Sequence, residues 1–309
     1  MSSASPQSTG AGPGSHASGA PATAGAPVTV AAVQMVSGTS LEANLARAGH
    51  WIAQAARQGA ALVSLPEYFC LMGHQDTDKL PFAERPGDLD APIQGMLSRA
   101  AREHGVWILG GTLPMAIAGA PIPADRVRNT TCVFAPDGSL VTRYDKLHLF
   151  CYDNGRERYD EARVLEAGEA PVTLDAAMPG GGPSLRVGLS ICYDLRFPEL
   201  YRAMSFSAGQ APLDLISVPA AFTHTTGQAH WELLLRARAV ENQAYVIAAA
   251  QGGTHENGRR TWGHSMVVDP WGEVLACLPE GEGLALARLD PARIAQVRSQ
   301  LPALQHRRL

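Results

Sequence analysis

Three ionisable side chains of different chemistry, Glu67, Lys146 and Cys192, each stand at or just past the end of an apolar, β-type run of the sequence. In open α/β sheets that edge is where ligands bind, so residues far apart in the chain can meet there. A thiol nucleophile needs a base to take its proton and a cation to hold the oxyanion formed when it attacks a carbonyl. Glutamate can be the base and lysine the cation. Taken singly, each residue also has an ordinary reading: Glu67 as a helix cap, Lys146 as a solvated surface cation, Cys192 as a small apolar residue ending a core strand.

The surroundings of Cys192 favour display of the thiol. Arg186-Val-Gly-Leu-Ser-Ile191 reads as a buried strand, and Pro198 fits the first turn of a following helix, where its missing N–H costs nothing. Backbone N–H groups at such a corner point at the thiol and are expected to favour thiolate. Arg196, one turn further on, has the planar fork that clamps a substrate carboxylate; an ion pair with Glu199 or Asp194 that fixes the turn is the competing reading. Thr225 and Thr226, after Phe222, either line the same pocket or cap a local turn. A histidine such as His148 or His230 is an alternative base, as in thiol proteases. His224 and His230 lack a metal-ligand spacing, and Gly181-Gly182 lacks the strand-to-helix context and lysine of a phosphate cradle. Arg236 and Arg238 are expected to pair with Glu232 and Glu241 along one helix.

The elements that must position these residues alternate. Pro27–Met35 reads as a strand; Ser40 as the N-cap of a helix ending near Gly59; 61–65 as a strand ending in Pro66-Glu67-Tyr68; 91–104 as a helix; and 106–109 as a strand. Residues 129–144 read as a hairpin around Pro136-Asp-Gly138, which points to a mixed sheet. The central strand at 185–191 is followed by a buried strand at 214–219, a helix at about 228–242, a strand at 244–250, a hairpin from His264 to the 276 region and a last helix opened by Pro291.

The chain has 309 residues, 46% apolar and 17% charged, with a net charge of −4. That balance suits one large α/β domain, and the absence of a basic stripe argues against a nucleic-acid partner. Residues 1–27 are a Ser/Ala/Gly/Pro-rich stretch with no Lys, Arg, Asp or Glu, expected to be a disordered tail, and 28–309 show no linker and are expected to form a single domain. Five widely spaced cysteines without a C-x-x-C pair speak for free thiols in a reducing compartment rather than a disulfide scaffold or zinc site. No secretory signal and no membrane-spanning run is legible, so the expectation is a soluble, cytoplasmic protein.

Leu65-Pro-Glu67-Tyr-Phe, Tyr144-Asp-Lys146-Leu-His-Leu-Phe and Ile191-Cys192-Tyr-Asp-Leu-Arg-Phe-Pro-Glu, in this order, resemble the three signature segments of the nitrilase superfamily of carbon–nitrogen hydrolases. The resemblance runs from about Val28 to the C-terminus, with further matches at 218–222, 229–233, 236–243 and 263–272, and is most similar to the amidase branch of deaminated glutathione amidases and ω-amidases. It implies an α/β fold, a four-layer α-β-β-α sandwich that pairs into homodimers or larger assemblies. Residue by residue it implies Glu67 as general base, Lys146 as oxyanion stabiliser, Cys192 as nucleophile, the Tyr193 N–H as second oxyanion donor, and Glu161 as an assisting carboxylate, with Asp160 the alternative. Arg196 and Thr226 are the candidate substrate contacts, no metal or cofactor is implied, and the partner is a small-molecule amide. The implied reaction is hydrolysis of a small carboxylate-bearing linear amide, such as deaminated glutathione, to acid and ammonia through a thioester. ω-Amidases, carbamoyl-amine hydrolases and nitrilases share the same set, and a binding scaffold with a vestigial site is the non-enzymatic alternative. The segment after Lys146 departs from the superfamily pattern, with Cys151 after Phe150 and a charged loop at 151–160 expected to border the pocket.

Overall fold

The computed structural model describes Met1, residues 25–155 and residues 157–308; most of the expected N-terminal tail lies outside the described residues. The first part of the chain runs β1 (Val28–Gln34), α1 (Leu41–Arg57), β2 (Leu62–Ser64), α2 (Pro92–His104), β3 (Trp107–Leu109), β4 (Leu113–Met115), β5 (Arg128–Phe134), β6 (Leu140–Asp145), β7 (Cys151–Asp153) and β8 (Arg158–Asp160). It continues through β9 (Val172–Ala177), β10 (Ser184–Leu189), α3 (Pro198–Ser205), β11 (Leu215–Ser217), α4 (His224–Asn242), β12 (Tyr245–Ala248), β13 (Gly252–Thr254), β14 (Arg260–Trp262), β15 (Ser265–Val268), β16 (Val274–Leu278), β17 (Gly283–Leu289) and α5 (Pro291–Gln300).

Two mixed sheets carry the architecture. One is seven-stranded, ordered β17-β1-β2-β3-β5-β4 with β6 on β5; the other is six-stranded, ordered β16-β15-β12-β11-β10-β9. β1, β2 and β3 are parallel neighbours, as are β10, β11 and β12, while the hairpin-connected strands are antiparallel. The mixed sheet expected from the mid-chain hairpin is thus present twice.

The period-two alternation of strands explains the layering. In β1, Val30 and Ala32 enter the core shared with Val187, Leu189, Leu215 and Val246 of the second sheet. Ala31 and Val33 instead pack with Ala48, Ile52 and Ala55 of α1 and Ile93, Leu97 and Ala101 of α2. On the far side Leu200, Tyr201 and Met204 of α3 and Trp231, Leu235 and Ala239 of α4 cover the second sheet. Each sheet therefore has one face on its twin and one under helices, the α-β-β-α sandwich that the resemblance implied. Both faces being buried accounts for strands that read as continuous apolar runs.

Local signals explain the element ends. Ser40 caps α1, its side chain accepting from Ala43 N–H, and Pro198 and Pro291 occupy first turns of α3 and α5. One helix is longer than expected: α4 begins at His224, not near 228, because the Thr223 hydroxyl caps it by accepting from Thr226 N–H. The charged loop at 151–160 is a correction too, since β7 and β8 pair as an antiparallel hairpin.

Candidate active site

Glu67 opens the turn after β2, Lys146 directly follows β6, and Cys192 begins the short 3₁₀ turn between β10 and α3. Stacking the two sheets face to face brings these strand ends together. Lys146 Nζ lies 2.9 Å from Glu67 Oε1 and 2.8 Å from Glu161 Oε2. Lys146 and Glu67 are each only 1% exposed, so this is a desolvated ionic cluster. Glu161, not Asp160, supplies the second carboxylate.

Each charge is held by further donors. Glu67 Oε1 also accepts from Asn129 Nδ2 at 2.9 Å, and its Oε2 accepts from Ala221 N–H at 2.9 Å. Glu161 accepts from the Tyr68 hydroxyl at 2.8 Å and from Phe150 N–H at 2.7 Å. The Glu67 carbonyl is fixed by Gln251 Nε2, and Tyr68 N–H by the Thr112 hydroxyl. Behind this turn Gly111 sits at φ +52°, and a Cβ there would collide with the Pro66 carbonyl, so the residue has to be glycine.

The thiol corner is strained. Cys192 has φ +48°, a left-handed conformation costing of order 1–3 kcal/mol outside glycine that persists only when its surroundings enforce it. Enforcement is visible: Cys192 N–H donates to Pro219 O at 2.9 Å, and Asp194 N–H to Ile191 O at 3.0 Å. Asp194, fully buried, accepts from Ile191 N–H, the Tyr144 hydroxyl (2.7 Å) and His148 N–H. It thereby ties the turn holding Cys192 to the segment carrying Lys146. Tyr193 N–H, between the two committed amides, has no acceptor among the described residues.

Burial first, then the Glu67 carboxylate, pushes the Cys192 thiol well above the ordinary thiol range, against a downward pull from Lys146. The expectation that the corner favours thiolate is overturned: desolvation and a neighbouring carboxylate outweigh the turn's amides. Burial lowers Lys146, but the Glu161 and Glu67 charges overcome it and leave the ammonium held above its usual range. For Glu161, burial pushes upward, yet the Lys146 charge, its hydrogen bond and that of Phe150 N–H together keep the carboxyl below the usual carboxylate range. At rest the site holds a neutral thiol, an ammonium and an ionised Glu161.

A narrow cleft opens on this cluster, with Cys192, Glu67 and Glu161 at its polar end and Phe150, Tyr193 and Phe222 as aromatic wall. Arg196 and Thr226 line it, as the sequence reading expected. Arg196 pairs with neither Glu199 nor Asp194; its guanidinium lies over the Phe222 ring at 5.3 Å and contacts His230 Nδ1 at 3.2 Å. Thr226 is held by the Thr223 hydroxyl at 2.8 Å. The two histidines weighed as alternative bases are outside the cleft lining: His148 Nδ1 is bound to Asp194 at 2.7 Å and its ring stacks on Phe197. Phe150, at the foot of the β7–β8 hairpin, packs edge-on against Tyr193, which places that hairpin at the rim of the cleft. Arg236 and Arg238 do pair with Glu232 and Glu241.

Asn129, Tyr68, Asp194 and Arg259 complete the site; the sequence assigned none of them this place, having offered Asp194 only as a partner for Arg196. Asn129 carried one usable signal: an amide inside a β-rich run must find partners when buried.

Residues 29–299 match the carbon-nitrogen hydrolase family. A protein of Synechocystis named deaminated glutathione amidase is 43% identical over 283 residues, covering 91% of this chain and 98% of that one. A human protein named omega-amidase NIT2 is 38% identical over 282 residues, covering 90% and 94%. The crystal structure of Saccharomyces cerevisiae Nit3, titled a member of branch 10 of the nitrilase superfamily, superposes with a TM-score of 0.78 at 31% identity, covering 92% of this chain and 97% of that one.

Proposed function

Because the chain belongs to the carbon–nitrogen hydrolase family, hydrolases of non-peptide carbon–nitrogen bonds, we propose that Glu67, Lys146, Cys192 and Glu161 hydrolyse a small, carboxylate-bearing linear amide. The single observation that carries this reading is the buried contact of Lys146 Nζ with both glutamates, 2.9 and 2.8 Å away, at the floor of a cleft lined by Cys192.

Glu67 takes the thiol proton as Cys192 Sγ forms a bond to the amide carbon. Since the thiol is held neutral, proton removal and attack are coupled rather than sequential. The carbonyl oxygen becomes an oxyanion, met by the Lys146 ammonium and Tyr193 N–H; losing one such donor typically costs about a hundred- to a thousandfold in rate. The carbon–nitrogen bond breaks as protonated Glu67 returns its proton to the leaving nitrogen, which departs as ammonia from a primary amide or as an amine from a substituted one. Water, deprotonated by Glu67, then adds to the thioester; the carbon–sulfur bond breaks and the thiolate regains the proton. Glu161 keeps Lys146 charged and oriented throughout.

Arg196 is positioned to hold the substrate's carboxylate, having no acidic partner of its own among the described residues. With relatives named deaminated glutathione amidase at 38–43% identity, deaminated glutathione is the preferred candidate and an ω-amide such as α-ketoglutaramate the alternative. The same reading includes a single domain over 28–309, a cytoplasmic protein, and a homodimer or larger assembly; the exposed Leu233 and Val240 of α4 offer an apolar patch for pairing.

Mass spectrometry of protein mixed with these amides tests the chemistry. A Cys192 acyl adduct should form and release product, and Glu67→Gln should abolish turnover. Turnover retained by Glu67→Gln would overturn the assignment of the base.

A further inference from the structure

Glu67 is gripped through its backbone as well as its carboxylate, and both grips lead to one hairpin. β13 and β14 pair antiparallel; Gln251 precedes β13, His255 follows it, and Arg259 precedes β14. Gln251, His255 and Thr261 of β14 are all buried, and none of the three lines the cleft that holds Cys192.

The first grip runs through Gln251, whose amide is paired twice with Ser37 in the turn after β1. Ser37 N–H donates to Gln251 Oε1 at 3.0 Å, and Gln251 Nε2 donates to the Ser37 hydroxyl at 2.8 Å. The same Nε2 donates to the Glu67 carbonyl at 3.1 Å, and the Ser37 hydroxyl donates to the Phe69 carbonyl at 2.9 Å. Two carbonyls of the turn that carries the base are therefore held by this pair. The second grip runs through Arg259, whose guanidinium donates to Ala221 O at 3.1 Å while Ala221 N–H donates to Glu67 Oε2 at 2.9 Å.

His255 pins both grips. Its ring is bonded at each nitrogen, Nδ1 lying 2.8 Å from the Ser37 carbonyl and Nε2 2.8 Å from the Thr261 hydroxyl. A carbonyl can only accept, which puts the proton on Nδ1 and leaves Nε2 to accept from Thr261. Burial holds the imidazole below its usual range, in keeping with that neutral form. The His255 backbone N–H donates to Arg259 O at 2.9 Å and closes the turn that carries Arg259. A buried hydrogen-bond network of this kind stiffens what it holds.

We propose that His255 is a positioning residue for the general base: it fixes the β13–β14 hairpin so that Gln251 and Ser37 hold the Glu67 turn from behind and Arg259 holds the Glu67 carboxylate through Ala221. The proposal rests on the assignment of Glu67 as the base. His255 acts through these neighbours alone; it sets where the carboxylate stands relative to Cys192 Sγ, and so the proton-transfer steps, without touching the substrate.

The test measures kcat and KM, on whichever of deaminated glutathione and α-ketoglutaramate the wild type turns over faster, in the wild type, His255→Leu and His255→Asn. Iodoacetamide alkylation of Cys192 against pH is read on the same samples. Asn carries an N–H near the place of Nδ1–H and can keep the bond to Ser37; Leu cannot. One hydrogen bond of ordinary net strength is a factor of about two to ten, and the Leu variant also strands the buried Ser37 carbonyl. His255→Leu should therefore lower kcat about tenfold with KM within about twofold, and His255→Asn should recover kcat to within about threefold of the wild type. The Cys192 alkylation midpoint should fall in His255→Leu and hold in His255→Asn, because a displaced Glu67 carboxylate no longer pushes the thiol up. A merely structural hairpin would lower the unfolding midpoint and leave kcat and the alkylation midpoint of the folded protein alone. Thr261→Val, which removes only the hydroxyl on Nε2, gives a second reading in a milder variant, with kcat expected to fall about threefold at constant KM. Wild-type kcat in folded His255→Leu or in Thr261→Val, or a raised KM with kcat kept, would overturn the proposal. Failure of the underlying assignment looks different: Glu67→Gln would then turn over like the wild type, whereas loss of the positioning role alone leaves Glu67→Gln inactive.

Discussion

Replacing Glu161 by Gln tests how the buried cluster is held. Tyr68 donates to Oε1 and Phe150 N–H to Oε2, so the single amide oxygen keeps one of these donors and the change removes the charge together with one accepted hydrogen bond. At 2.8 Å the gross attraction to Lys146 is about 6 kcal/mol at an effective dielectric constant of about 20. Two offsets reduce it: the variant no longer desolvates a carboxylate, and Lys146 keeps Glu67 at 2.9 Å. Removing one partner of a buried pair costs about 3–5 kcal/mol when the other charge is stranded. Here it is not stranded, so about 2–3 kcal/mol of unfolding free energy should be lost near neutrality. The pH dependence has a definite sign. Glu161 is held below its usual range, so its contribution is fully present above the unfolded carboxylate value of about 4.3 and fades as pH falls through the folded value. Lys146 is held above its range, so its contribution is present below about pH 10.4 and is lost only in stronger alkali. Urea unfolding of wild type and Glu161→Gln at pH 7 and in acid should therefore show a gap that narrows with acid. Equal midpoints at pH 7, or a gap that widens toward acid, would refute the reasoning.

Thiol alkylation by iodoacetamide against pH should report a Cys192 midpoint above that of an exposed thiol. Glu67→Gln should lower this midpoint and Lys146→Met should raise it, because the carboxylate pushes the thiol up and the ammonium pulls it down. Asn129→Ala removes a neutral donor from Glu67 Oε1; a hydrogen bond to a charged group is worth about 1.5–3 kcal/mol, so kcat/KM should fall about ten- to a hundredfold. An unchanged kcat/KM in that variant would mean that Lys146 and Ala221 suffice to aim the base. Arg196→Met should raise KM for carboxylate-bearing amides about tenfold or more while leaving kcat within a few-fold, read from steady-state kinetics on acids and their esters. A fall in kcat alone would instead make Arg196 a brace of the turn.

The helices, the central strands and the three signature segments were legible because they follow from local rules, whereas the strands β4, β7, β8, β9, β13, β14 and β17 were not foreseen. Burial on both faces gives continuous apolar runs, caps and prolines mark helix ends, and the chemistry of a thiol, a carboxylate and an ammonium is a property of residue type. What the sequence hid depends on the second sheet lying against the first. Asn129 is a modest amide in a strand until β5 is placed beside the Glu67 turn. Asp194 read as a partner for Arg196, yet its neighbours from β6 claim it, and that freed Arg196 for the cleft. Glu161 could not be separated from Asp160 until the β7–β8 hairpin fixed the backbone before it. Arg259 had no local signal at all, since only the folded chain brings it to the lining of the cleft.

The strongest disagreement between sequence and structure is at Cys192, where a turn of backbone amides promised a thiolate. The amides immediately before and after Tyr193 are spent on Pro219 and Ile191, and burial with Glu67 alongside dominates. This reversal suits the chemistry better than a resting thiolate would. A resting thiolate whose proton had gone to solvent would crowd further negative charge beside Glu161 and the Lys146 ammonium in a desolvated site, and no proton would be at hand for the leaving nitrogen. Keeping the proton on sulfur until an amide carbon arrives makes one glutamate serve as base in attack and as acid in departure, with Lys146 free to meet the charge as it forms on oxygen.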